Sequence, residues 1–176
     1  MRPSGYANAS KIPYSTVFVK SKYIGRTFIQ TTQNKRQRLV AIKLNPLKNT
    51  IEGKKIVLVD DSIVRGTTIR KIISRLRKAG AKEIHLRIAS PLFKDICYFG
   101  TDIDDKESLV ANRYDIEGIR ELVGADSLEY LSLENLEKVA KKANIEGFCM
   151  GCFTGEYPIE VPKEIKKDKF EEKITS

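Results

Sequence analysis

Ile56-Val57-Leu58-Val59-Asp60-Asp61-Ser62-Ile63-Val64-Arg65-Gly66-Thr67-Thr68 is the stretch on which the fold turns. Its first four residues are an unbroken apolar run, the pattern of a short strand buried in a parallel sheet. The adjacent acids Asp60 and Asp61 end the run. Thr67 or Thr68 is placed to cap a following helix. The apolar face of that helix is Ile69, Ile72, Ile73 and Leu76, at helical spacing. Arg75, Arg77 and Lys78 fall late in it, and Gly80 is placed to end it. Ile84, Leu86 and Ile88 then alternate as a second strand. Together these predict a β–loop–α–β unit of about 35 residues with a right-handed crossover.

The chemistry collects in the loop of this unit. Ligands of open α/β sheets bind beyond the carboxyl ends of the strands. Backbone N–H groups at a helix start, helped by the hydroxyls of Ser62, Thr67 and Thr68, form an anion site. Gly66 allows a close backbone approach or a positive φ. A phosphate in the loop and a polyol on the two carboxylates would fit a ribose 5-phosphate. A capped loop with solvated acids is the plainer alternative, and the ordered co-occurrence of strand, acids, hydroxyls, glycine and helix speaks against it. The segment contains neither the Walker A spacing nor the dinucleotide glycine fingerprint.

Towards the N-terminus, Gly5 to Asn8 reads as a turn or helix end and Ser15 to Val19 as a strand. Residues 20–46 are polar and basic with weak periodicity, and loops of that length are often lids or binding loops. Residues 1–50 hold ten Lys or Arg and no acid, whereas residues 51–176 hold 22 basic and 23 acidic residues. The first fifty residues therefore carry the whole net charge of +9. Such a block suits a polyanion, either nucleic acid or a phosphorylated small molecule.

Towards the C-terminus, Asp115 to Val123 reads as a short helix ending at Gly124, and Leu128 to Leu131 as a strand. Ser132 is placed to cap a helix running to Lys142, with Leu133, Leu136, Val139 and Ala140 on one face. His85 alternates with Ile84 and Leu86, which gives it a structural place on the opposite side of its strand. Cys149-Met150-Gly151-Cys152 is a C-x-x-C, and Cys97 lies upstream. Three thiolates fall one short of a tetrahedral zinc or [4Fe–4S] site.

The 176 residues suit one domain. No run approaches the ~18–20 apolar residues that cross a bilayer. The first ten residues hold no apolar signal core. Three cysteines do not make a self-contained disulfide framework. The composition argues against membrane, secreted and disordered classes, and the expectation is a cytoplasmic protein with no membrane partner.

Val59 to Thr68 resembles the phosphoribosyl pyrophosphate (PRPP) motif of type I phosphoribosyltransferases, and more narrowly that of the amidophosphoribosyltransferases. The narrower resemblance also rests on Gly5-Tyr6-Ala7, Ile12-Pro13-Tyr14, Lys20 to Ile29, Lys43-Leu44-Asn45-Pro46, Gly124 to Leu128 and Cys152 to Pro158. It spans residues 5–162. It implies an α/β fold with a mainly parallel sheet flanked by helices, occupying residues 1–162, followed by a charged tail over 163–176. Relatives carry a first strand and a pyrophosphate-binding turn before Gly-Tyr-Ala, and both are expected to be lacking here. Relatives also carry an N-terminal glutaminase domain whose cysteine follows the initiator Met. Here Arg2 follows Met1, so glutamine hydrolysis is not expected of this chain.

The same resemblance implies roles. Asp60 and Asp61 would hold the ribose hydroxyls and help place Mg²⁺. Ser62, Ile63, Val64, Arg65, Gly66, Thr67 and Thr68 would wrap the 5-phosphate. Lys20, Tyr23, Arg26 and Lys43, on the basic loop, would close over bound PRPP and face its pyrophosphate. Cys97, Cys149 and Cys152 would be three ligands of a [4Fe–4S] cluster whose fourth ligand lies elsewhere. The implied activity is a glycosyl transfer of purine synthesis, from PRPP and ammonia to 5-phosphoribosylamine and pyrophosphate. The ammonia would come from a separate glutaminase chain, and the protein would be a homo-oligomer. On this reading the polyanion is PRPP rather than nucleic acid. The alternative is a non-catalytic PRPP-binding regulator or an inactive fragment.

Overall fold

The computed structural model describes residues 3–20, 44–100, 106–145 and 147–161, and of Lys20 and Leu44 the backbone alone. Helix α1 (Pro3–Ser10) leads to β1 (Phe18–Lys20), which pairs antiparallel with β2 (Leu44–Pro46). A short helix, α2 (Lys48–Ile51), precedes β3 (Lys55–Asp60), α3 (Thr67–Lys78) and β4 (Glu83–Ile88). A 3₁₀ turn (Val110–Asn112), α4 (Ile116–Val123), β5 (Ser127–Tyr130), α5 (Leu133–Lys142) and α6 (Gly151–Thr154) follow. Strands β3, β4 and β5 form a parallel sheet in that order. The expected parallel sheet with flanking helices is thus present.

The register explains how the core is built. Leu58 lies beside Leu86 and Leu86 beside Leu128, so one face of the sheet is a continuous apolar surface. Ile69, Ile73 and Leu76 of α3 and Ile119 and Val123 of α4 cover it, and all five are buried. The other face is polar on β4 and β5 and carries Val57 and Val59 on β3. His85 Nδ1 lies 2.9 Å from Ser127 Oγ, Arg87 Nη1 donates to the same oxygen at 2.9 Å, and Lys55 pairs with Glu83 at 2.8 Å. Each buried apolar side chain contributes about 1.5–3 kcal/mol. A half-exposed ion pair contributes about 1 kcal/mol or less. The helix-covered face therefore holds the fold, and the polar face only tolerates water.

Several boundaries differ from the sequence reading. β3 is half-buried from Ile56 to Asp60, not buried on both faces. It stands at the edge of the sheet among the described residues, and its second face meets the polar side. Residues 5–8 are not a turn but the middle of α1. Pro3, at its first position, has the φ that a helix start needs. The first strand lies at Phe18–Lys20, where its pairing with Leu44–Pro46 places it. Asp115 and Ser132 do cap α4 and α5, accepting the amides of Gly118 at 2.7 Å and Asn135 at 3.2 Å.

Asp126 ties the start of β4 to the end of α3. Its Oδ2 accepts the Ile84 amide at 2.5 Å and Arg77 Nη2 at 2.6 Å. Its own desolvation pushes the carboxyl pKa up, but the Ile84 amide and then Arg77 outweigh that and leave it lowered. A lowered carboxylate contributes stability that is complete above the unfolded value, about 3.9, and is lost as pH falls through the folded value. Asp126→Asn is expected to flatten the acid limb of stability measured by urea unfolding below about pH 5. An acid limb as steep as the parent's would show that this carboxylate is not one of the groups that drive it.

Candidate functional site

β3 delivers Asp60 to the carboxyl end of the sheet, in register with Ile88 and, one strand further, Tyr130. Asp60 is half-buried and Asp61 exposed. Asp60 Oδ1 accepts the Asp61 amide at 3.0 Å, and Asp61 Oδ1 accepts the Ser62 hydroxyl at 3.4 Å. Beyond the acids, apolar side chains pin the loop. Ile63 is buried in the main core, and Val64 packs on the Phe93–Leu109 cluster. The Val64 carbonyl accepts the Val110 amide at 2.8 Å, and Arg65 Nε donates to Ser108 Oγ at 3.3 Å. Gly66 is buried and caps α3 at φ 75°, a conformation that a side chain strains.

The end of α3 is electrostatically open. Its first turn contains no acid, and its cap makes no side-chain hydrogen bond. The first amides of a helix have no partner within the helix and carry the positive end of its dipole. Thr67 and Thr68, both exposed, add hydroxyls at the same place. A few residues before this positive end lies a carboxyl pair. Burial is the main cause that pushes the Asp60 pKa up; the Asp61 amide pulls it down, and the Asp61 charge raises it again. The loop thus offers anion-binding amides at one end and hard oxygen donors at the other.

Residues 4–121 match the family model described as the phosphoribosyl transferase domain. The chain belongs to this family. It is 47% identical to an amidophosphoribosyltransferase of Synechocystis sp., over 94% of this chain and 33% of the relative. It is 46% identical to the amidophosphoribosyltransferase of Bacillus subtilis, over 89% of this chain and 34% of the relative. Among solved structures, it resembles "glutamine phosphoribosylpyrophosphate (PRPP) amidotransferase from B. subtilis complexed with ADP and GMP". The TM-score is 0.76 at 44% identity, covering 92% of this chain and 36% of that one. The chain therefore spans about a third of the length of the relatives it matches.

In this phosphoribosyltransferase domain, Asp60 to Thr68 is one continuous strand end, loop and helix start. Of the expected lid residues, Tyr23, Arg26 and Lys43 lie outside the described residues, and Lys20 is described only as the last backbone position of β1. The expected threonine cap is corrected. The capping position is Gly66, because the left-handed turn that aims the loop at the helix start needs a residue without Cβ. Ser108 and Val110, which brace the loop, carried no sequence signal. They lie more than forty residues downstream and meet the loop only through the fold.

The cysteine segment docks elsewhere. The Cys152 carbonyl accepts the amides of Lys94 at 2.9 Å and Asp95 at 3.1 Å, and Phe153 packs on Phe93 at 4.8 Å. Burial pushes the Cys152 thiol up to about 11, with smaller contributions from Cys97 and Cys149. Cys152 is thus the thiol that feels the other two. Among the described residues, however, no group of three His, Cys, Asp or Glu side chains is placed to hold a metal ion. A [4Fe–4S] cluster needs four ligands. The donor set seen here does not fit it, and the cluster enters no step below.

Proposed function

We propose that this chain binds PRPP at Asp60–Thr68 and transfers its phosphoribosyl group to ammonia, giving 5-phosphoribosylamine and pyrophosphate. The observation that carries the reading is the direct passage from the Asp60–Asp61 pair through buried Gly66 into an acid-free helix start. The amides and hydroxyls of Ser62 to Thr68 take the 5-phosphate. Asp60 and Asp61 take the ribose hydroxyls. As hard oxygen donors, they also suit Mg²⁺, which when bound neutralises charge on the departing pyrophosphate. Ammonia forms a bond to C1 as the bond from C1 to the pyrophosphate oxygen breaks, and a proton passes from nitrogen to solvent. The protein's part is to position the reactants and stabilise the leaving group. Lys20, Tyr23, Arg26 and Lys43 supply cations and a ring on the pyrophosphate side. The resemblance of residues 20–43 to the family's basic loop supports this assignment. Ammonia arrives free or from a separate glutaminase chain.

The test is pyrophosphate release from Mg²⁺–PRPP with and without ammonium chloride. Ammonia-dependent release is the expected result. PRPP at a hundred times its Kd should also stabilise the fold by about 2.7 kcal/mol. The absence of both release and a PRPP-dependent rise in melting temperature would overturn the reading. A rise without release would leave binding in place and remove the transfer step.

A further inference from the structure

We propose that Asn112 is a positioning residue for the phosphate loop: its carboxamide holds the turn over residues 106–112 in the shape that braces Val64 and Arg65. The inference rests on the reading of Asp60–Thr68 as the PRPP loop. Asn112 is the last residue of the 3₁₀ turn Val110–Asn112, and it is exposed. Its Nδ2 donates to the Lys94 carbonyl at 3.2 Å and to the Lys106 carbonyl at 2.9 Å. Both neighbours are carbonyl oxygens, so only the amine end of the side chain can face them. One amine, with one hydrogen for each bond, thus ties the start of the turn to the segment that follows β4.

The turn meets the loop at three points. The Val110 amide donates to the Val64 carbonyl at 2.8 Å, and Ser108 Oγ accepts Arg65 Nε at 3.3 Å. Leu109, fully buried, forms with Phe93 the cluster on which Val64 packs. Val110 also stands beside Gly66, its Cγ2 lying 3.8 Å from where a Cβ would be. Asn112 acts at one remove, since its bonds go to Leu109, Lys94 and Lys106. Lys106 Nζ and Asp95 Oδ2 join the same two segments at 2.7 Å. That pair is exposed on the lysine side and fixes little. The carboxamide bonds are directional, so they set how the turn faces the loop. Because Asn112 is exposed, losing its side chain uncovers no core and leaves stability nearly unchanged. The loop is more demanding, since a displacement of about 1 Å in positioned groups costs up to about a hundredfold.

The test compares the full chain with Asn112→Ala, Asn112→Asp and Asn112→Gln. It reads amide hydrogen exchange by NMR without ligand and the affinity for Mg²⁺–PRPP by calorimetry. In Asn112→Ala the Val110 amide is expected to exchange at least about tenfold faster, and PRPP to bind about tenfold more weakly. The melting temperature should stay within about 2 °C and the Leu86 amide should not change. Asn112→Asp keeps the shape but lacks the donors, and it sets a carboxylate oxygen against two carbonyls. Its effect should be at least as large as that of alanine. Asn112→Gln keeps the amine and should recover most of the affinity. Val110 exchange in Asn112→Ala equal to the parent's overturns the proposal. So does faster exchange with unchanged PRPP affinity, an Asn112→Asp variant that behaves as the parent, or a Leu86 amide that speeds up by the same factor as Val110. A parent that does not bind PRPP overturns the reading of the loop instead, and Val110 exchange then decides alone whether Asn112 holds the turn.

Discussion

Asp60→Asn is expected to lower ammonia-dependent pyrophosphate release by at least about a hundredfold while leaving the melting temperature at pH 7 equal or higher. The first half follows from the place of the side chain, at the end of β3 and beside the loop that opens α3. The second half follows from its electrostatics. Burial holds the Asp60 pKa above its ordinary value, so the folded state is the worse host for the charge. A raised carboxyl pKa costs stability at pH above the folded value. That cost shrinks as pH falls through the folded value and disappears below the unfolded one, about 3.9. Asparagine removes the charge but keeps an oxygen where Oδ1 accepts the Asp61 amide. The gain in melting temperature should therefore be present at pH 7 and absent at pH 3. A variant that loses stability at pH 7 and keeps its release would remove Asp60 from the site and make it an ordinary structural carboxylate.

Gly151→Ala should have the largest effect on structure. A Cβ at Gly151 would overlap the ring of Tyr157. That ring cannot move freely, because its hydroxyl donates to the Ile96 carbonyl at 2.5 Å and its edge meets Tyr98 at 4.9 Å. Overpacking of this kind costs about 1–3 kcal/mol. The cost falls on the contact between residues 149–157 and 93–98, not on the sheet. The expected result is undocking of that segment, read as alkylation of half-buried Cys152 by iodoacetamide several-fold faster than in the parent, with little change at exposed Cys149. Equal rates at both cysteines in the two proteins would mean that the segment absorbs the methyl by shifting as a unit.

The β3–loop–α3–β4 unit was legible in the sequence because local signals agree there: an apolar run, two acids, a glycine and a helical stripe of isoleucines. The caps at Asp115 and Ser132 were legible for the same reason. Elements set by partners were not. β2 and α2 have weak patterns, and β2 owes its existence to pairing with β1. The α3 cap was misread because two threonines compete with a glycine, and the backbone turn decides. The acids and the helix start of the candidate site could be read from the chain, but its bracing by Ser108 and Val110 could not. The half-burial of β3 was equally hidden, since a strand's neighbours are a property of the sheet and not of the strand.

The bracing of the loop by a distant segment bears on the order in which the protein takes shape. Arg65 meets Ser108 across 43 residues, and His85 meets Ser127 across 42. Contacts of such separation form slowly, because chain must be closed before they reward closure. On a ribosome, β3 and α3 emerge well before anything that holds the loop between them. The acids and Gly66 are thus synthesised early and positioned late, and a chain halted before residue 110 would carry the complete motif without the fixed loop geometry that the proposed anion site uses.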